Sequence, residues 1–357
     1  MSRSVWLRNE AARDGFDNAQ TICFALGRFP MRLPTDATRS FEDGFRRFYP
    51  EIRELLNSHR SPGLALLVEG ADGLEATAWI PAEEDGINPV IVGRHSTAEI
   101  FLPSDPALSL RHLAVIVRRA ADGGACFRVL DLRTPTAFED EHGKGLRALE
   151  SAGPTMVRCA SYALLLVPTT DSGEPWPDDT DAAWRLVPER VYLDSVSADP
   201  GSWSRPGGVV VRASRLLGDS GGRTTSVVTF PGPMFLSPTP AEAEASASDA
   251  GPARGEIRIR SVSGGGSLLL DAEAARRGAL IGRYDRCDGF GLPCMGSHVL
   301  SRVHLLVVES QSGLWAIDTA SKNGSWHGHE AIRRMRLEPG RRLSLAKQVT
   351  VEWCPFH

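Results

Sequence analysis

No apolar run in this 357-residue chain approaches the length needed to cross a membrane; the longest, such as Ala163–Val167, are the size of a strand. The opening segment MSRSVWLRNEAARDGF lacks the apolar core of a secretory signal, so the expectation is a cytoplasmic protein without membrane partners. Cysteine is sparse: Cys23, Cys126, Cys159, Cys287, Cys294 and Cys354 are scattered, with no CxxC, and read as reduced thiols, several of them buried. A strongly basic balance is also missing. The formal net charge is −4, which argues against broad nucleic-acid binding, so any anion recognition must come from a few placed cations. No GxSxG, HExxH, Walker or GxGxxG stretch stands in a fitting context, so the chain reads as a non-enzyme with no cofactor.

What is present is ample core material: 42% hydrophobic and 24% charged residues, in a chain long enough for two or three domains. Residues 1–62 read as a helical head. Phe41, Phe45, Phe48, Ile52, Leu55 and Leu56 approximate an apolar helical stripe, broken or kinked at Pro50, with Ser40 able to cap its start. Residues 63–168 turn to β texture. LALLVEG, ATAWIP, PVIVGR, LAVIVRR, CFRVLDL and ALLLVP are short apolar or alternating runs punctuated by Gly, Pro, Asp and Asn, the pattern of an antiparallel sandwich. Residues 169–235 are irregular. They open on an acidic loop, TTDSGEPWPDDTD, followed by strand-like pieces, GGVVVRASRLLG and TTSVVTF. The hydroxyls of Thr224, Thr225, Ser226 and Thr229 could be kinase targets, although threonine is common in strands. Residues 236–254, rich in Ala, Ser, Pro and Glu, form a flexible linker. The β texture then resumes over 255–357.

The two β regions repeat each other. PVIVGRHSTAEIFLPSDPALSLRHLAVIVRR lies on ALIGRYDRCDGFGLPCMGSHVLSRVHLLVVES. Each has an apolar strand ending in Gly-Arg, a loop, then Ser and His leading into another apolar strand. CFRVLDLRTPTAF then matches LWAIDTASKNGSW. The shared order of features argues for duplication of one fold.

The second copy concentrates polar side chains at its turns. Gly282-Arg283 ends a strand, Ser301-Arg302 precedes one, and Ser321, Lys322 and Asn323 fill a turn closed by Gly324. Loops at one end of a sandwich cluster in space. Together these would present two arginines, a lysine, two hydroxyls and an amide, a donor-rich complement to a phosphate dianion. Asn323-Gly324 suits a turn that needs positive φ.

This order, GR…SRVH…D-x-x-SKNGS-x-x-x-G, resembles the forkhead-associated family, an eleven-stranded β-sandwich that binds phosphothreonine peptides. The resemblance covers residues 255–357. It implies that Arg283 pairs with the phosphate, that the Ser301 hydroxyl donates to it, and that Arg302 contacts the ligand. It also implies that His304 braces the loops, that Asn323 holds the peptide backbone, and that Gly324 and Gly328 fix turns; Lys322 stands where Thr is commoner, beside Ser321. The first copy departs from the pattern. Arg94, Ser109 and His112 keep their places after Gly93, but the arginine moves to Arg111, and Thr136 and Ala137 replace Asn and Gly. It is identified as a degenerate copy, with a possible residual phosphate site at Arg94, Ser109, Arg111 and His112.

The expected fold is therefore all-β: two such sandwiches joined by an irregular middle segment and linker, with a helical head. The expected function is recognition of a Ser/Thr-kinase-phosphorylated partner, another protein, another copy or the chain's own middle segment. A phosphate-independent adaptor, with both sandwiches acting as docking or self-association surfaces, is the alternative. Two weaker signals compete. Cys287, Cys294, His298 and His304, with His327 or His329 as substitutes, have loose spacing for zinc, and buried thiols explain them better, so no metal is expected. The basic run IRRMRLEPGRRL fits a polar outer strand face better than a nucleic-acid surface.

Overall fold

A computed structural model describes residues 40–171, 174–188, 192–198, 211–214, 226–227, 253–290 and 292–356. Cys23, most of the expected linker, and Thr224, Thr225 and Thr229 lie outside these residues. The architecture is mostly antiparallel β, with short helices at the N-terminal side.

The helical head is two helices, Phe41–Arg47 and Tyr49–Ser58. Ser40 caps the first, its Oγ accepting from the Asp43 N–H at 3.2 Å. The break falls at Phe48 and not at Pro50. Pro50 sits in the first turn of the second helix, where its missing N–H is not needed. Phe41, Phe45, Ile52 and Leu56 are buried against Ala65, Leu67, Leu165 and Val167. These are alternate residues of the strands Gly63–Gly70 and Tyr162–Pro168, which is why both strands are buried on both faces. Part of the supposed acidic loop joins this cluster. Thr180–Trp184 is a helix, capped by Asp179, whose Oδ2 accepts from the Ala182 N–H at 2.9 Å. Trp176 and Trp184 pack on the head, and Tyr192–Ser197 pairs with Gly145–Ser151. The middle segment is thus partly built into the first sandwich.

That sandwich sets Gly73–Pro81, Gly63–Gly70, Tyr162–Pro168 and Thr155–Cys159 on one side and Asn88–Gly93, Leu113–Arg119 and Ala125–Asp131 on the other. Phe138–Asp140 and Gly145–Ser151 join them. Leu64, Leu66 and Val68 face Val90, Val92, Val115 and Val117 in its core. The second sandwich packs a sheet containing Gly255–Ser261, Gly264–Leu270, Arg342–Leu345 and Val349–Pro355 against a four-stranded sheet, Ala279–Ile281, Leu305–Ser310, Gly313–Asp318 and Arg334–Arg336. Ile257, Ile259, Val307, Leu343 and Val351 fill the space between. Val211–Ser214 adds to the edge at Gly264–Leu270. SLLLDAE is a strand only to Leu270, after which Asp271 caps the helix Ala272–Arg277. The GGG at 264–266 opens a strand, and the hairpin turn lies just before it.

The two sandwiches are packed sheet to sheet. The outward residues Ile91, Ala114, Ile116, Leu130 and Leu132 of the first form one buried cluster with Leu280, Leu306, Val308, Trp315 and Ile317 of the second. Strand alternation places each strand's other set of side chains in its own core, so Leu113–Arg119 and Leu305–Ser310 serve two cores at once. Ion pairs rim the contact. Arg133 meets Asp288, Arg333 meets Glu99, and Arg334 meets Glu83. The basic run of residues 332–343 therefore pairs two of its arginines with the neighbouring sandwich, while Arg336, Arg341 and Arg342 stay on an exposed face as expected.

The contact is pseudo-symmetric. Glu99 accepts from the Ile91 N–H at 2.6 Å and pairs with Arg333 across the boundary. Asp288, at the equivalent place in the second copy, accepts from the Leu280 N–H at 2.8 Å and pairs with Arg133. Ala98 and Cys287, one residue earlier, both enter the shared cluster.

Candidate functional site

The frame of the site is fixed by backbone crossings between the Gly-Arg strand end and the Ser-x-x-His loop. The Arg283 N–H donates to the Ser301 carbonyl at 3.2 Å, and the Tyr284 N–H to that of Arg302 at 2.9 Å. The two chains approach so closely at Gly282 that a Cβ there would lie 2.2 Å from the Arg302 carbonyl oxygen. That explains glycine before the arginine. The same crossing recurs in the first copy, where Arg94 and His95 donate to Ser109 and Leu110 at 3.0 and 2.9 Å.

His304 is wholly buried and its ring joins the Ser301 loop to the Gly324 turn. Its Nδ1 accepts from the Ser301 N–H at 3.2 Å, which leaves the proton on Nε2, 3.1 Å from the Gly324 carbonyl. Burial lowers its pKa, the nearby Asp318 carboxylate opposing, so the ring is held neutral in this tautomer. His112 repeats the arrangement with the Ser109 N–H at 3.1 Å, and burial drives its pKa down to about 4.

The turn after Gly313–Asp318 is held from within by Asp318. The Ser321 N–H and Oγ donate to its two oxygens at 2.7 and 2.6 Å, and the Ser325 Oγ adds a bond of 2.6 Å. Ser321 is therefore 9% exposed, and its hydroxyl serves the turn and not the mouth of the site. Ser301 links this turn to its own loop, because its Oγ accepts from the Lys322 N–H at 2.9 Å. Asn323 adds a second link, its Nδ2 donating to the Val299 carbonyl at 2.7 Å. Gly324 adopts φ +71°, a conformation that disfavours a side chain. Gly328, at φ +59°, turns the hairpin between Ser325–His327 and Glu330–Ile332.

The cations stand at the outer edge of this framework. Arg283 is exposed, yet its Nε is anchored to the Leu300 carbonyl at 3.0 Å, which aims the guanidinium along the Ser301 loop. Its terminal nitrogens have no partner among the described residues. Arg302, Lys322 and Asn323 are also exposed, in the chain segments just joined. Three loops distant in sequence thus converge, with charge outside and hydrogen-bonded bracing inside.

The first copy keeps part of this. Arg94 Nε donates to the Leu108 carbonyl at 3.2 Å, the counterpart of the Arg283 anchor. Thr134 matches Ser321, donating from Oγ1 and N to Asp131 at 2.6 and 3.1 Å. Arg111 does not join Arg94 and Ser109. It is 8% exposed and faces the other sandwich, where Nε donates to the carbonyls of Thr319 and Ala320 at 2.6 and 3.0 Å, and Nη2 also reaches Ala320. The expected four-residue residual site is therefore incomplete.

The cysteine–histidine set does not converge. Cys287 Sγ faces the Arg302 carbonyl at 3.2 Å, and His304 is committed to Ser301 and Gly324. Among the described residues no three metal-ligating side chains cluster. No helix among them is long and apolar enough to span a membrane. Sequence reasoning missed Glu99 and Asp288, whose only signal was a carboxylate at equivalent positions of the two copies, and Arg133, whose counterpart is the uncharged Ala320.

No family model matches the chain, and no curated protein matches it. Among solved structures it aligns with the FHA-1 domain of Rv1747 from Mycobacterium tuberculosis, at 20% identity over 29% of this chain and 99% of that one, with a TM-score of 0.23. It aligns with the FHA domain of CT664 from Chlamydia trachomatis at 22% identity, over 29% and 96%, with a TM-score of 0.24. It also aligns with Mycobacterium tuberculosis EmbR in complex with a low-affinity phosphopeptide at 12% identity, over 37% and 31%, with a TM-score of 0.23. Scores this low add nothing to what the motifs and the loops carry. On the order of its motifs and the meeting of the loops that bear them, the chain resembles the forkhead-associated family.

Proposed function

We propose that the second sandwich binds a phosphothreonine-bearing segment of a partner protein, a non-enzymatic role in Ser/Thr-kinase signalling. The observation that carries this reading is the joining of the Ser301 loop to the Lys322–Gly324 turn through the Ser301 Oγ, the Asn323 amide and the His304 ring, and to the Gly-Arg strand end through Arg283 Nε and N–H, with Arg283, Arg302 and Lys322 exposed. In this reading Arg283 and Arg302 meet the phosphate, with Lys322 adding charge. Ser301, whose oxygen already accepts from Lys322, turns its own proton toward the anion. Asn323 is braced through one amide hydrogen and keeps its Oδ1 for the peptide backbone. A dianion among such donors gains charge-assisted bonds that a neutral hydroxyl does not.

One observation bears on the adaptor alternative. One outer sheet face of each sandwich is covered by its sister within the chain. Docking through those faces would require the tandem to open. A phosphothreonine peptide library screened against the intact chain, with unphosphorylated threonine as control, tests the proposal. Selection of phosphorylated sequences supports it, and equal retention of both forms overturns it.

A further inference from the structure

The turn that carries Lys322 and Asn323 is held by the neighbouring sandwich as well as by its own. Ala320 has φ +58°, a left-handed conformation that a side chain disfavours, and its carbonyl points out of the second sandwich. Arg111 donates to that carbonyl through Nε, at 3.0 Å, and Nη2, and to the preceding carbonyl of Thr319 at 2.6 Å. Thr97 Oγ1 adds a third donor to the Ala320 carbonyl at 3.0 Å. Thr97 is in turn steadied by His95, whose Nδ1 lies 2.7 Å from the Thr97 Oγ1. Two residues beyond Ala320, the Lys322 N–H reaches Ser301.

The pseudo-symmetric position shows what is particular about this arrangement. Arg133, the counterpart of Ala320, is also left-handed, at φ +55°, but it sends its guanidinium across the boundary to the Arg286 carbonyl and the Asp288 carboxylate. The first copy lacks the Asn-Gly pair in its own turn. It carries instead an arginine aimed at the turn that has the pair. The position occupied by Arg111 in the first copy is Val303 in the second, a side chain in the shared apolar cluster.

We infer that Arg111, with Thr97, is a positioning residue for the ligand-binding turn of the other sandwich, so that residues 63–168 complete a binding site they do not themselves contain. The inference rests on the phosphothreonine reading of that site. Neither residue touches the ligand. They fix the Ala320 peptide plane, and through it the direction in which Ser321, Lys322 and Asn323 leave the strand. The degenerate repeat has lost its own clamp and serves as the back wall of its sister's.

The test uses the full chain. Arg111→Met removes the donors while keeping much of the buried volume. Arg111→Lys restores a cation with a single donor head, and Thr97→Val removes a single hydroxyl if the methionine variant does not fold. Affinity is read with a phosphothreonine peptide that binds the parent, and backbone amide exchange of residues 319–323 is read without ligand. Expected for Arg111→Met is binding weakened by about tenfold, the factor one misplaced charge-assisted contact carries, with partial recovery in Arg111→Lys. Faster exchange confined to 319–323 is expected alongside. Unchanged affinity with unchanged exchange overturns the inference. If the parent binds no phosphopeptide, the functional reading fails alone, and the exchange of the Lys322 amide still decides whether Arg111 positions the turn.

Discussion

Replacing Asp288 by asparagine is the sharpest perturbation of the tandem. The Asp288 side chain is fully buried. Its Oδ2 accepts from the Leu280 N–H at 2.8 Å and lies 2.6 Å from Arg133 Nη2, while Oδ1 accepts from Arg133 Nη1 at 2.8 Å. The arginine side chain is 19% exposed. The pair sits in little water, and its attraction is offset by desolvation, so its net worth is small when both partners are present. Removing one charge is another matter. Arg133 would stay packed in the interface without a counter-ion, and one Asp288 oxygen becomes an NH2 that faces either the guanidinium or the Leu280 N–H. Such a change costs about 3–5 kcal/mol, out of a total stability on the order of 5–15 kcal/mol. Urea unfolding followed by tryptophan fluorescence measures it. Trp315, in the shared cluster, reports on the boundary itself. The expected result is a lower midpoint for Asp288→Asn and substantial recovery when Arg133→Met is added. A loss under about 0.5 kcal/mol, the range of an ordinary surface change, would refute the claim that this buried pair joins the two sandwiches.

Further expectations concern each level of the structure. His112 is neutral in the folded protein, with its pKa lowered to about 4 by burial, whereas an unfolded histidine titrates near 6.5. The unfolded state therefore binds more protons between these values, and stability falls as pH drops through that window. His112→Gln should reduce the slope of unfolding free energy against pH by about one proton there; identical slopes would show that the histidine is not buried neutral. Residues 253–357 alone would expose Leu280, Leu306, Val308, Trp315 and Ile317, so this fragment should self-associate or bind a hydrophobic dye, and a well-behaved monomer with no dye binding would contradict the shared core. Ala320→Gly should raise stability by up to about 1 kcal/mol by relieving the left-handed strain, while Ala320→Val should lower it; the reverse order in thermal denaturation would contradict the assigned backbone.

How much of this was legible beforehand differs by level. The Gly-Arg crossing, the Ser-x-x-His loop and the Asn-Gly turn are local in sequence, and their glycines mark close approach and positive φ, so their meeting followed from ordinary β geometry. The repeated order of features was legible for the same reason, since the same backbone crossing recurs at Arg94 and at Arg283. The sheet-to-sheet packing was not. Leu113–Arg119 and Leu305–Ser310 carry unbroken apolar runs, which say that both faces are buried but not by what. Arg111 shows the cost of that gap. With one sandwich in view, an arginine beside a histidine belongs to a phosphate site; with two, it belongs to the neighbour's turn. The Thr180–Trp184 helix escaped because five residues are too few for a period, and its only marks were the Asp179 cap and a tryptophan.

The most direct measurement is the affinity of Arg283→Ala, in the full chain, for a phosphothreonine peptide that binds the unaltered protein. Loss of one charge-assisted contact of about 1.5–3 kcal/mol weakens binding by roughly tenfold to a hundredfold or more. That loss is expected for the phosphorylated peptide, with thermal stability little changed because Arg283 is exposed. Undiminished affinity in a folded Arg283→Ala protein would contradict it.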